Sequence, residues 1–389
     1  MLGVTFVDPS RTQIPFLSPF FKGGIFSVGF KPLFEKEGKG RFVEKAARNY
    51  VANFWVTTLG VRTAILASAL FSFIFAGDAS GQSTKLTVSY SADTPGQLSA
   101  WMAKETGIYS KNGLDVQLIR ATGNVAVMAL LSGEVGIGVM GGASVIASNI
   151  SGSDGVMIAS GQVITDYVLV TQPKIKTAEQ LKGGILGVAS LSGSSITASR
   201  FALHKLGLDP DKDVSMIVVG GTPDRLIALQ TGRIQSTLLS PPTSIVAEKE
   251  GFNLLTDVGD LPFPYNSLAT TRRFIRDNQE TVRRYIKSHI EAVHRLKTDR
   301  ETGIKVLAKY LRRGDRYLLE KSYDVSIADN ILPRKQYPAL PGIKTVLDML
   351  SERTPKARTA KPEDFVDARF IKELDESGFI DSLYKKQRN

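Results

Sequence analysis

From Lys85 onward the chain repeats one rhythm, in which a short β-branched run is followed by a stretch with apolar residues at helical spacing and then by another run. Neighbouring parallel strands cannot be joined by a tight turn and need a crossover of helix length. This alternation therefore confines the chain to an α/β architecture with largely parallel sheets. Leu86 to Tyr90 reads as a first strand, and Leu98, Trp101 and Met102 follow at helical spacing before Gly107 stops the helix. Leu114 to Ile119 is a strand, and Asn124 is placed as the cap of a helix with Val127, Met128 and Leu131 inward. Val135 to Val139, Val156 to Ala159 and Tyr167 to Thr171 continue the series. After Pro173 the alternation restarts with strands at Ile185 to Val188, Val214 to Val219, Gln235 to Leu239 and Leu254-Leu255. Helices are expected from Ser195 to Leu206, from Thr222 to Thr231 and through Ile245 to Glu250. Thr222 is the expected cap of the second of these, with Pro223 at the first helical position, where its missing N–H costs nothing.

The two series echo each other. Leu130-x-Ser132-Gly133-Glu134-Val135 and Leu229-x-Thr231-Gly232-Arg233-Ile234 stand 99 residues apart, each a helix end, a glycine stop and the start of a strand. Beyond Tyr265 the pattern turns helical. Val282, Tyr285, Ile286, Val293 and Leu296 keep helical spacing, as do Ile343, Val346, Leu347 and Leu350, and Phe365 to Leu374 is expected as a last helix before Gly378.

Ahead of the series, Arg62 precedes the apolar run Thr63 to Ala76, too short to span a bilayer comfortably, and small residues follow at Gly77, Ala79, Ser80 and Gly81. The form is that of a signal peptide, cut after Ala79 or Gly81, with an uncleaved anchor as the alternative. The expected organisation is a leader over residues 1–82 with its signal at about 61–81, a first lobe over 83–173, a second lobe over 174–263, and a return to the first lobe over 264–389.

The formal net charge of +11 raises the question of nucleic acid, but +4 of it falls in residues 1–83. In the remainder the charges are interspersed, without aromatic and basic interleaving, so solvated helix faces account for them and no nucleic-acid partner is expected. Cysteine is absent, which removes thiol nucleophiles, thiolate metal sites, disulfides and a lipoprotein-type anchor. Of the three histidines, His289 and His294 are five apart on one helix, about 140° from a shared face, and His204 stands alone. No Gly-x-Ser-x-Gly elbow, phosphate loop or dinucleotide fingerprint occurs. Neither an enzyme nor a cofactor or metal is expected.

What stands out is a set of strand-to-helix loops of small and hydroxyl residues: Gly141-Gly142-Ala143-Ser144, Ser192-Gly193-Ser194-Ser195, Gly220-Gly221-Thr222 and Ser240-Pro241-Pro242-Thr243. Ligands of open α/β sheets bind beside the carboxyl ends of strands, where helix N-termini offer free N–H groups and a positive dipole end. Such loops suit a sulfonate or carboxylate. Ordinary helix capping explains each loop singly, but four spread over both halves point to a cleft.

Further local motifs support a family resemblance. Ala103-Lys104-Glu105-x-Gly107-Ile108-Tyr109, Asn112-Gly113-Leu114-Asp115-Val116, Leu131-Ser132-Gly133-Glu134-Val135, Leu181-Lys182-Gly183-Gly184-Ile185-Leu186-Gly187-Val188 and Phe365-Val366-Asp367 to Ser377-Gly378-Phe379 resemble a known family. It comprises the solute-binding proteins of bacterial ABC transporters for sulfonates, nitrate, taurine and thiamine precursors (SsuA-like, NMT1-like). The resemblance implies a two-lobed type II periplasmic-binding-protein fold, each lobe a mainly parallel sheet flanked by helices, with the C-terminal helices packed on the first lobe. It implies crossing segments near Val170 to Lys176 and Pro262 to Thr271. It further implies a monomer outside the cytoplasm that captures a small-molecule ligand and docks on an ABC permease of the inner membrane. The ligand-binding residues expected on this basis are Asp93, Thr94, Gly142, Ala143, Ser144, Ser192, Gly193, Ser194, Ser195, Thr222 and Ser240. Asp93 departs from a purely anion-binding pattern, meeting either a ligand amine or the end of a helix. A pyrimidine-precursor synthase or hydrolase on the same fold, and a ligand-sensing subunit, are the alternatives.

Overall fold

The computed structural model describes residues 83–385 except residue 192. The expected leader and Ser192 lie outside the described residues. The chain runs through β1 (Thr84–Tyr90), α1 (Leu98–Glu105), α2 (Ile108–Lys111), β2 (Leu114–Arg120), α3 (Gly123–Ser132), β3 (Ile137–Met140), α4 (Gly142–Ile150) and β4 (Gly155–Ser160). It continues through β5 (Val168–Thr171), β6 (Gly184–Val188), α5 (Ser194–Lys205), β7 (Val214–Val218), α6 (Thr222–Gln230), β8 (Ser236–Leu239), α7 (Thr243–Lys249) and β9 (Asn253–Asp257). After β10 (Ser267–Thr271) come helices α8 (Arg272–Asp277), α9 (Gln279–Thr298), α10 (Arg300–Leu311), α11 (Arg316–Ser326), α12 (Leu340–Ser351), α13 (Arg369–Glu376) and α14 (Phe379–Lys385).

These strands form two five-stranded sheets of the same design, ordered β2-β1-β3-β10-β4 and β7-β6-β8-β5-β9. In each, three strands joined through helices run parallel and the fourth lies antiparallel between its neighbours. The sheets are thus mixed, because the fourth position is filled by a strand arriving from the other sheet: β10 in the first, β5 in the second. The echo seen in sequence is structural, since β3 and β8 occupy the same place in their sheets, and Gly133 and Gly232 both take positive φ, 86° and 73°. That left-handed conformation ends the preceding helices and favours glycine.

Strand β5 is hydrogen-bonded on both sides within the second sheet, so the chain passes between sheets at residues 161–167, ahead of the expected Val170 to Lys176. The return passes through 258–266. The two crossings pair with each other through an Ile164–Pro262 bridge and a Phe263 N–H to Val163 carbonyl bond of 3.0 Å. A chain of buried side-chain amides braces them: Gln97 donates to Asn266 and Asn266 to Gln162, each at 3.0 Å.

The C-terminal helices pack on the first lobe. Val282, Tyr285, Ile286, Val293 and Leu296 of α9 are buried with Trp101, Val88 and Leu114, and Trp101 stacks on Tyr310 with ring centroids 4.5 Å apart. Helix α12 buries Ile343, Val346 and Leu347 and lies so close to the returning crossing that a Cβ on Gly342 would stand 2.8 Å from the backbone of Phe263.

Four local expectations are corrected. Thr122, not Asn124, caps α3, and Met128 on that helix is 65% exposed while Leu130 is buried. Gly221 caps α6, with its N–H held at 3.0 Å by the Asp224 carboxylate, so Thr222 is the first helical residue. The stretch from Phe365 to Leu374 is not one helix. A 3-10 turn ends at Phe365, Val366 is extended and bridges to Met157 beside β4, and α13 starts at Arg369. Pairing with the sheet edge satisfies backbone groups there that a continuous helix would leave to solvent. Among the described residues no helix is long and apolar enough to cross a membrane.

Candidate functional site

The loops that follow β1, β2, β3, β6 and β7 converge on a cavity of about 370 Å³ between the two sheets. Every one of them leaves the carboxyl end of a parallel strand, so the cavity lies where open α/β sheets hold ligands. The crossing segments add Tyr167 and Tyr265 to its wall.

Of the expected residues, Asp93, Thr94, Ser144, Gly193, Ser194, Ser195 and Thr222 line this cavity. Gly142, Ala143 and Ser240 do not. The Gly142 N–H is spent on the Pro264 carbonyl at 2.8 Å, Ala143 is buried in the apolar core, and Ser240 is fully buried behind Pro241 and Pro242. The reason is local geometry: α4 starts at Gly142, so its first two residues turn into the lobe while Gly141 and Ser144 face out. Ser192 lies outside the described residues.

The lobes touch at the N-termini of α4 and α5. A Cβ on Gly141 would overlap Ser194 Oγ, and one on Gly193 would stand 2.6 Å from Ser144 Oγ. Ser194 Oγ also donates to the Tyr265 carbonyl at 3.3 Å. Two glycines therefore permit the close approach, and two helix ends with positive partial charge face each other across the cleft. Asp93 caps no helix. It pairs with Arg120, Nε to Oδ2 at 3.1 Å, at the cleft edge. Next to this pair the cavity opens into a second space of about 660 Å³, lined by Arg312 and Arg313 and by a Lys309–Glu105 ion pair.

Arg225, which sequence reasoning missed, sits on the first turn of α6, lines the cavity and is 1% exposed. Its Nη1 donates to the Leu238 carbonyl at 2.6 Å and approaches Ser195 Oγ and Thr237 Oγ1, both at 3.4 Å. Its guanidinium carbon lies 5.8 Å from the centre of the Tyr167 ring, and Tyr167 meets Tyr265 edge to face at 5.0 Å. Ser195 Oγ accepts from the Ala189 N–H at 3.1 Å, which fixes it beside the guanidinium. A signal was available. Thr222, Arg225, Leu226 and Leu229 share one buried helix stripe, so a charge stood among core positions.

Behind the tyrosines, the Asp166 carboxyl is raised to about 7 by burial of its tip, against a hydrogen bond from Tyr265. Burial likewise pushes the Tyr265 hydroxyl well above its ordinary value. None of the three histidines lines the cavity. His289 is buried on the inner face of α9, bonded with the Ser160 carbonyl and Gln336, and burial lowers its pKa to about 4. Among the described residues no group of three or more His, Cys, Asp or Glu is placed to hold a metal ion.

The NMT1-like family matches residues 79–312 of the chain. No curated protein matches it. Among solved structures, a protein of Bordetella bronchiseptica RB50 is 21% identical, with 76% of this chain and 98% of that one covered and a TM-score of 0.63. The alkanesulfonate-binding protein SsuA of Xanthomonas axonopodis pv. citri, bound to MOPS, is 16% identical over 74% of this chain and 100% of its own, with a TM-score of 0.60. The periplasmic nitrate-binding protein NrtA of Synechocystis PCC 6803 is 14% identical over 76% of this chain and 89% of its own, with a TM-score of 0.62. At these identities the likeness is one of fold.

Proposed function

We propose that this chain, which belongs to the NMT1-like family, is an extracytoplasmic solute-binding protein that captures a small organic anion between its lobes and delivers it to an ABC importer. The observation that carries this reading is the cavity itself. It is bounded by both lobes, lined by hydroxyls and helix N-termini, and joined behind by two paired crossing segments. Free N–H groups at helix starts stabilise negative charge, and two thin connections let one lobe swing against the other. The alkanesulfonate- and nitrate-binding proteins of the same fold supply precedent for anionic solutes. Export through the apolar segment at residues 63–76, a monomeric state, docking on a permease of the inner membrane and the absence of catalytic turnover belong to the same proposal. Asp93, Thr94, Ser144, Gly193, Ser194, Ser195 and Thr222 are its ligand-binding residues.

The test is native mass spectrometry of the mature protein, followed by a thermal-shift screen of sulfonates, nitrate, carboxylic acids and pyrimidines. A ligand at a hundred times its Kd stabilises by about 2.7 kcal/mol through mass action, an easily read rise in melting temperature. No retained compound and no shift across the panel, or chemical conversion of a bound compound, overturns the reading.

A further inference from the structure

We propose that the Arg225 guanidinium is the charge-bearing contact for the ligand, and that the ligand is an organic acid anion, carboxylate or sulfonate, whose ring-sized body rests against Tyr167 and Tyr265. This deepens the solute-capture reading and rests on it.

The first support is an unbalanced charge. A guanidinium without a counter-ion in a dry interior costs several kcal/mol, so buried cations are found paired. Arg225 is 1% exposed, yet among the described residues no carboxylate lies within 4.0 Å of it. Its protein partners are the Leu238 carbonyl and the hydroxyls of Thr237 and Ser195, all neutral, and its Nε has no hydrogen-bond partner. Asp224 is adjacent in sequence but i,i+1 neighbours do not face each other on a helix, and its carboxylate holds the Gly221 N–H. The starts of α5 and α6 add further positive partial charge at the same spot. Asp166 makes no ion pair or hydrogen bond with Arg225 among the described residues, and burial raises its carboxyl to about 7. An anion entering the cleft supplies the balance.

The second support is position. The guanidinium is held by Leu238 and by the Tyr167 ring, so it meets a ligand without reorganising, and a planar fork of donors fits a carboxylate or sulfonate. The third is size. A cavity of about 370 Å³ holds far more than an inorganic oxyanion, since a water molecule takes about 30 Å³ of liquid. Beside Arg225 stands the Tyr167 ring with Tyr265 edge to face against it, and Met140 and Pro223 also line the otherwise hydroxyl- and glycine-rich cavity. These side chains stabilise a hydrocarbon or ring body and add nothing for nitrate or sulfate.

Matched acid and amide probes test this on the full mature protein: benzoate with benzamide, phenylacetate with phenylacetamide, and benzenesulfonate with benzenesulfonamide, each by calorimetry, with nitrate as the inorganic arm. At least one acid is expected to bind roughly 30-fold or more tightly than its neutral partner and than nitrate, the loss typical of removing one member of a buried charge pair. Arg225→Gln, which removes the charge and leaves a neutral amide at the place of Nε, is expected to lose that preference while retaining the wild-type circular dichroism. The acid and amide comparison on the wild type stands even where the variant does not fold. Amides binding as tightly as acids, acid binding surviving Arg225→Gln, or capture of nitrate or a pyrimidine but none of the acids overturns the inference and leaves solute capture standing. No binding by these probes or by the wider screen removes both.

Discussion

Replacing Gly141 by alanine probes how the two lobes meet at the cleft. Gly141 has φ −63° and ψ 122°, a backbone that any residue adopts, so alanine strains nothing locally. In the described arrangement of the lobes the new methyl overlaps Ser194 Oγ and lies 3.3 Å from Ser194 Cβ. Over-packing of this kind costs about 1–3 kcal/mol. The cost falls on that arrangement alone, because residues 141 and 194 belong to different lobes. Gly to Ala at a compatible position otherwise stabilises by about 0.4–1 kcal/mol through the unfolded chain. The unliganded melting temperature is therefore expected to hold or rise slightly, while affinity for the solute found by the screen falls about 5- to 150-fold. Small-angle scattering should show less compaction on ligand addition than in the wild type. Adding Ser194→Ala removes the overlapping oxygen and should restore compaction at saturating ligand, with affinity still below wild type because Ser194 is itself placed among the ligand-binding residues. Wild-type affinity and compaction in Gly141→Ala, or a Ser194→Ala that brings no recovery of compaction, refutes the view that these two helix ends meet in the ligand-bound state.

Asn266→Ala breaks the amide chain between Gln97 and Gln162 and should cost about 1–3 kcal/mol in urea unfolding, because it leaves buried amide groups without partners. Gly342→Ala meets the rigid backbone of Phe263 at 2.8 Å and should lower stability by about 1–3 kcal/mol, with no change in ligand preference. Two buried groups give opposite pH slopes. The Asp166 carboxyl, at about 7 when folded against 3.8, opposes folding increasingly as pH rises between those values, so Asp166→Asn should gain up to roughly 4 kcal/mol over wild type at pH 8 and nothing below pH 4. His289, lowered to about 4 from 6.5, withdraws stability as pH falls through that window. His289→Gln should therefore flatten the acid side of the urea-midpoint profile by up to roughly 3 kcal/mol.

Most of the architecture was legible because it is local. The β-branched runs between Leu86 and Leu255 became strands, the α9 stripe from Val282 to Leu296 became core, and the echo around Gly133 and Gly232 marked equivalent strands in two sheets. The site was legible only to the level of its loops. Hydroxyl-rich segments after strands do line the cavity between the lobes, but which residue of each segment faces it differs by one or two places from the expectation. Gly141 lines it where Gly142 and Ala143 were expected, and no residue of the Ser240-to-Thr243 loop does, Pro241 and Pro242 lining only the adjoining space. That detail depends on the residue at which each helix begins, and a run such as Gly-Gly-Ala-Ser offers several starts of similar energy.

The alternation of short strands and amphipathic helices by itself determined an α/β chain of two similar halves with helices appended, because periods of about 2 and 3.6 residues are written in neighbouring positions. Tertiary structure alone decided that β5 joins the second sheet, that Gly141 meets Ser194, and that no carboxylate stands beside the buried Arg225 among the described residues. Each of these depends on groups brought together from distant parts of the chain, and contacts of that kind leave no period in the sequence to be read.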